Sequence, residues 1–246
     1  MTNFPFSPTR AFTPLGLVVA GSLSTGLDVK LEPTILMEGL AVGRYVVVHG
    51  KQTGRKFFGL VTDISLDATN PEIAKSPPDV SDEFSARIYS GHIAFGMMHV
   101  APMLVIDSDQ TEPKPVKTIP AHFSPVFEAT EEDVNRVFGR EDDEHFHIGQ
   151  PLDMETVKVN LDLRRFVERS SGVFGKSGTG KSFVTRTILA GLIQSNVAVN
   201  LIFDMHNDYG WSVLDEHGKE YKGLRQLFGD GRVQVITLDP ATSKHR

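Results

Sequence analysis

The stretch SGVFGKSGTGKSFVTR, Ser171 to Arg186, decides how the second half of this 246-residue chain is read. Within it, Gly175, Lys176, Ser177, Gly178, Thr179, Gly180, Lys181 and Ser182 follow the pattern G-x-x-x-x-G-K-[ST] at every position. The spacing has a physical reason. Glycines at 175, 178 and 180 let the backbone turn tightly and aim its N–H groups inward as an anion nest. A helix starting near Lys181 adds the positive end of its dipole at the same point. Lys181 is placed to reach the β- and γ-phosphates of a nucleotide, and the Ser182 hydroxyl to ligate Mg²⁺. Phe183 follows directly and is counted with the binding residues. Nothing in the loop separates ATP from GTP.

Outward from the loop, SSGVFG reads as a short strand leading in, and KSFVTRTILAGLIQSN as a helix leading out. In that helix Phe183, Ile188, Leu189, Leu192 and Ile193 fall broadly on one side, and Gly191 weakens it slightly. VAVNLIFDM is a near-continuous apolar run, as expected of a strand buried on both faces of a parallel sheet. VKVNLDL and RVQVITLD read as further strands and GLRQLFGDG as a short helix. Alternating strand and helix implies an α/β P-loop domain over residues 151–246, incomplete because the chain stops directly after a strand.

LIFDMHNDYGW carries Asp204, His206 and Asp208 at alternate positions, on one face if the strand persists. Two carboxylates and an imidazole are competent metal ligands, and such residues also cap sheet edges. Asp204 and Asp208 are the catalytic candidates. An ATPase of this kind also needs a carboxylate pair at the end of a later strand. The Asp-Glu after the loop, Asp215-Glu216, comes only seven residues after Asp208 and reads better as a surface turn.

Toward the N-terminus the pattern changes. GLVVAGS, DVKL, YVVVHG, KFFGLVTDIS, ARIYSGHIAF and MLVID are short, β-rich segments separated by turn residues. HGKQTGR, between Tyr45–His49 and Lys56–Ile64, supplies a hairpin turn. Five or six short strands without long helices imply a small all-β barrel over residues 1–120, with residues 67–83 as an exposed loop. Residues 121–150 read as an acidic helical connector, in which Thr130 caps a helix, Asp133 completes its capping box and Gly139 stops it.

Between Glu128 and Glu144 eight acidic residues face two arginines, which accounts for the whole net charge of −6. No broad basic face of the kind that coats duplex DNA is left. The absence of cysteine excludes disulfides and thiolate metal sites. No apolar run reaches the roughly 20 residues of a membrane span and the N-terminus lacks a signal peptide, so a cytoplasmic protein is expected.

Three features resemble HerA-type DNA translocases of the HerA/FtsK superfamily. GSLSTGLDVKLEP, LAVGRYVVVHG and GRKFFGLVTDI are similar to the HAS barrel that precedes the motor in that family. VNLDLRRFVERSSGVFGKSGTGKS resembles its approach to the phosphate loop. FDMHNDYG resembles its D-x-H-x-E-Y signature, with Asp208 where glutamate is more usual. The resemblance implies a ring, expected to be a hexamer, that uses ATP and Mg²⁺ to move along duplex DNA, with a NurA-type nuclease as partner in DNA-end processing. A nucleotide-binding or assembly module without hydrolysis is the alternative, and a P-loop kinase a weaker one. The chain by itself is expected to bind ATP with little turnover.

Overall fold

The computed structural model describes residues 13–79, 93–107, 112–142, 145–151, 154, 156–214 and 218–237, with 81, 84 and 89 singly. The chain divides into two compact units. One holds residues up to 137 together with 150–157, the other 138–149 and 158 onward.

The first unit is a closed antiparallel barrel. Its strands are β1 (Gly16–Ser22), β2 (Gly26–Leu31), β3 (Tyr45–His49), β4 (Lys56–Ala68), β5 (Ala94–Ile106) and β7 (Pro125–Glu128). They neighbour one another in the order β2-β1-β7-β3-β4-β5, and β5 pairs back onto β2 to close the ring. A two-residue β6 (Lys114–Pro115) lies against β5 outside that ring. Alternation along the strands selects the interior. Val46 and Val48 of β3, Leu27, Val29 and Leu31 of β2, and Met98 and Val100 of β5 meet Val18, Phe57, Val61 and Val126 in one buried cluster. The register of β4 on β5 slips at Phe58/Gly59 and at Val61/Asp63, bulges that bend a strand as barrel closure requires.

Of the segments expected as strands, the last two residues of ARIYSGHIAF and the first four of MLVID belong to one long element. β5 runs for 13 residues through Pro102, and residues 86–88 and 90–92 lie outside the described set. The expected exposed loop 67–83 begins with the last residues of β4 and contains a single helical turn, α1 (Glu72–Lys75). The segment expected as a connector gives β7 to the barrel, where it fills the place between β1 and β3. A leading proline, Pro125, and a length of only four residues hide that strand from a propensity reading. The helix after it forms as its sequence indicates. α2 (Glu131–Phe138) follows a reciprocal capping box in which the Asp133 N–H donates to Thr130 Oγ1 at 3.1 Å and the Thr130 N–H donates to Asp133 Oδ2 at 3.0 Å. Gly139 leaves it at φ +72°.

The second unit holds a hairpin, β8 (His145–Gly149) with β9 (Val159–Asp162), then α3 (Leu163–Val167) capped by the Asp162 carboxylate. α4 (Lys181–Ser195) is the longest helix among the described residues. Leu163, Ile188 and Leu192 form its buried cluster, with Phe146, Leu161, Phe166 and Val197 packed around them. A short hairpin, β10 (Val213–Leu214) with β11 (Glu220–Tyr221), and α5 (Leu224–Phe228) complete the described elements.

The expected parallel strands SSGVFG, VAVNLIFDM and RVQVITLD are not strands among the described residues. A parallel ladder needs a neighbour on at least one side, and these segments have none here. Their apolar side chains stand in solvent accordingly, Phe174, Val199, Leu201, Phe203 and Ile236 among them.

Candidate nucleotide site

The site is built around the start of α4. Residues 169–180 run without regular structure and are exposed, and the chain turns into the helix at Gly180. Gly178 and Gly180 take φ +79° and +85°, left-handed values that a side chain at either position resists. The helix begins with no side-chain cap, and its first backbone bond runs from the Val184 N–H to the Gly180 carbonyl. The N–H groups before it are left without intrahelical acceptors, which is what an anion-binding helix start requires.

The Lys176 carbonyl organises the loop internally. It accepts from Lys181 Nζ at 2.6 Å and from Thr179 Oγ1 at 2.7 Å. The lysine that the sequence assigns to phosphate is thus folded back over its own loop, ammonium beside the cradle.

A second segment reaches the same helix. The Ser182 hydroxyl donates to Asp208 Oδ2 at 3.3 Å, and Arg186 Nη2, one turn further along α4, donates to the Asp208 carbonyl. Asp204 does not point there. Its Oδ1 accepts the Asp208 N–H at 2.8 Å, and its Oδ2 accepts those of Tyr209 at 3.0 Å and Gly210 at 3.4 Å. Burial works to raise its pKa, but the N–H groups of Tyr209, Asp208, Gly210 and His206 outweigh it and hold the carboxyl below its ordinary value.

The expected face of Asp204, His206 and Asp208 is therefore not formed. The chain turns at Met205–His206, and Asn207 takes φ +58°, so the alternation of a strand is lost. Among the described residues no three His, Asp or Glu side chains are grouped to hold a metal. Ser182 and Asp208 are brought together. Asp215 and Glu216 lie outside the described residues.

Phe183 was expected on the buried side of α4 and is instead exposed, its ring 6.0 Å edge-on from that of Tyr221. Sequence reasoning missed Arg186 and Tyr221. Arg186 sits four residues after Ser182, the spacing that puts two side chains on one helix face, so its signal was present. Tyr221 carried none.

Residues 146–244 match the family model described as Helicase HerA, central domain. The DNA double-strand break repair helicase HerA of Pyrococcus furiosus is 27% identical over 115 residues, which cover 47% of this chain and 20% of that protein. Residues 146–244 are thus similar to the HerA central domain, and the stretch matched to the curated relative spans about a fifth of that protein's length. No helix among the described residues is long and apolar enough to cross a membrane.

Proposed function

We propose that this chain is the ATP-binding part of a HerA-like motor, whose complete form hydrolyses ATP to translocate on or unwind duplex DNA in DNA-end processing. The observation that carries the reading is the uncapped start of α4 behind left-handed Gly178 and Gly180, inside the segment that matches the HerA central domain. On this reading residues 151–246 belong to an α/β P-loop domain and the barrel is HAS-like. The assembly is a ring, a hexamer, acting on duplex DNA with a NurA-type nuclease, in the cytoplasm.

The residues present fit a magnesium nucleotide. The loop from Gly175 to Gly180 offers backbone N–H groups, Lys181 a mobile ammonium, and Ser182 with Asp208 two oxygen donors of the hard type magnesium prefers. Bound there, Mg²⁺ neutralises phosphate charge and so favours attack at the terminal phosphorus. Lys181 leaves the Lys176 carbonyl to meet the phosphates, and Phe183 lies beside the loop.

The test is ATP binding and turnover on the 246-residue chain with Mg²⁺, with and without duplex DNA. Binding lost in Lys181→Ala supports the reading; unchanged affinity in that variant rejects it. Binding without turnover in the wild type is the result expected of this chain and is shared by a non-hydrolysing nucleotide-binding module; DNA-stimulated turnover favours a working motor.

A further inference from the structure

Asp204 and Asp208 are four residues apart and equally competent as metal ligands by type. The structure separates them. Asp204 has three backbone N–H groups on its two oxygens, so most of its acceptor capacity is spent on the turn 208–210. Asp208 is oriented by that turn and by Arg186 on its carbonyl, while its Oδ2 meets only a long 3.3 Å contact from the Ser182 hydroxyl. Neighbouring oxygens around an octahedral magnesium ion stand about 2.9 Å apart, given bonds of about 2.0–2.1 Å. The Ser182–Asp208 pair is within a few tenths of an ångström of that spacing before any ion is present.

We infer that Asp208 is the carboxylate that holds the magnesium of a bound nucleotide together with Ser182, and that Asp204 is its positioning residue, acting through the turn it clamps. This rests on the nucleotide reading above. The assignment also gives the shorter side chain at 208 a reason. The turn brings the backbone of residue 208 to within a side chain's length of α4, so one methylene is enough to reach Ser182. Arg186 serves the same geometry from the helix side, fixing the peptide that carries Asp208.

The experiment is equilibrium binding of a fluorescent ATP analogue to the whole chain, titrated with Mg²⁺ and repeated in EDTA. The wild type, Asp208→Asn, Asp208→Glu, Asp204→Asn and Ser182→Ala are compared, each with its melting curve. Asp208→Asn is expected to need roughly tenfold more Mg²⁺ than the wild type for the same fractional gain in affinity over its own value in EDTA. Asp208→Glu restores part of that loss, and Ser182→Ala raises the Mg²⁺ requirement in the same direction as Asp208→Asn. Asp204→Asn loses the same Mg²⁺ response. A purely structural role for Asp208 lowers the melting midpoint and leaves the Mg²⁺ titration where it was; that result overturns the inference. Asp208→Asn with an unshifted Mg²⁺ midpoint at wild-type melting overturns it too. A wild type that binds no nucleotide in either buffer is a different failure, that of the nucleotide reading itself.

Discussion

Gly191 of α4 lies against the ring of Phe146 of β8 so closely that a Cβ at 191 would fall 2.7 Å from both Cγ and Cδ1 of that ring. The helix gives up propensity at this residue and gains contact with the hairpin. Gly191→Ala therefore sets two effects against each other. Alanine in a helix interior is favoured by about 1 kcal/mol, whereas forcing a methyl into a filled space costs about 1–3 kcal/mol. Cγ can move aside only if the whole ring rotates about χ1, out of its packing against Leu163, Ile188 and Leu192, so the second effect wins. A lowered melting midpoint is expected, with Phe146→Leu in the same chain recovering part of it.

Asp133 carries a pH prediction. Burial works to raise its pKa, but the Thr130 hydroxyl and N–H and the Lys56 ammonium at 3.0 Å overcome that and hold it below its ordinary value. A carboxyl depressed by folding adds stability above its ordinary value of 3.8 and loses it as pH falls through the lower folded value. Asp133→Asn should therefore melt below the wild type at pH 7 and converge with it in acid. Thr130→Ala, which removes the cap, should cost about 1 kcal/mol in urea unfolding.

His99 behaves in the opposite sense. Its Nδ1 lies 2.8 Å from Asp28 Oδ1, and its Nε2 faces the Thr25 carbonyl across the β1–β2 turn. The Asp28 hydrogen bond raises its pKa above 6.5, burial opposes this, and the Thr25 carbonyl adds to the rise. The stabilisation is complete below pH 6.5 and fades as pH rises through the folded pKa. The pair is partly solvent-screened, so the effect is small. The melting midpoint of the wild type should fall between pH 6 and 8 relative to His99→Gln; parallel curves would remove the ion pair from the account.

Phe183 stands in solvent beside the phosphate loop and meets Tyr221 edge-on. Phe183→Ala is expected to leave stability within about 0.5 kcal/mol, as exposed positions do. It should weaken ATP about three- to tenfold if the ring stacks with the nucleobase. A drop in melting midpoint with unaltered affinity would show that the ring serves Tyr221 instead.

How much of this was legible beforehand differs between the halves. β1 and β3 could be read to the residue because alternation and turn residues mark their ends, and α2 because Thr130, Asp133 and Gly139 are local signals. β7 was hidden because its place is set by β1 and β3, far away in sequence. In the second half the glycine pattern located the start of α4, and the apolar run 197–205 indicated a buried strand. That run lies unpaired here, since hydrophobicity states what a segment wants and not whether a neighbour is at hand. The division of labour between Asp204 and Asp208 could not be read at all. It depends on a turn at Met205–His206 that the strand pattern argued against.

Closing β5 onto β2 also limits how the barrel can be recognised. Within the ring each strand has a neighbour on both sides, but β4 outruns β3: Lys56–Leu60 pair with β3, whereas residues 63–68 are paired with β5 alone and leave one open stretch of sheet edge. The two-residue β6 is too short to template another chain. Elsewhere on the ring whatever docks must read side chains. Proline substitutions in the doubly paired part of the ring should therefore only unfold it, whereas one in the open stretch of β4 should leave the barrel folded.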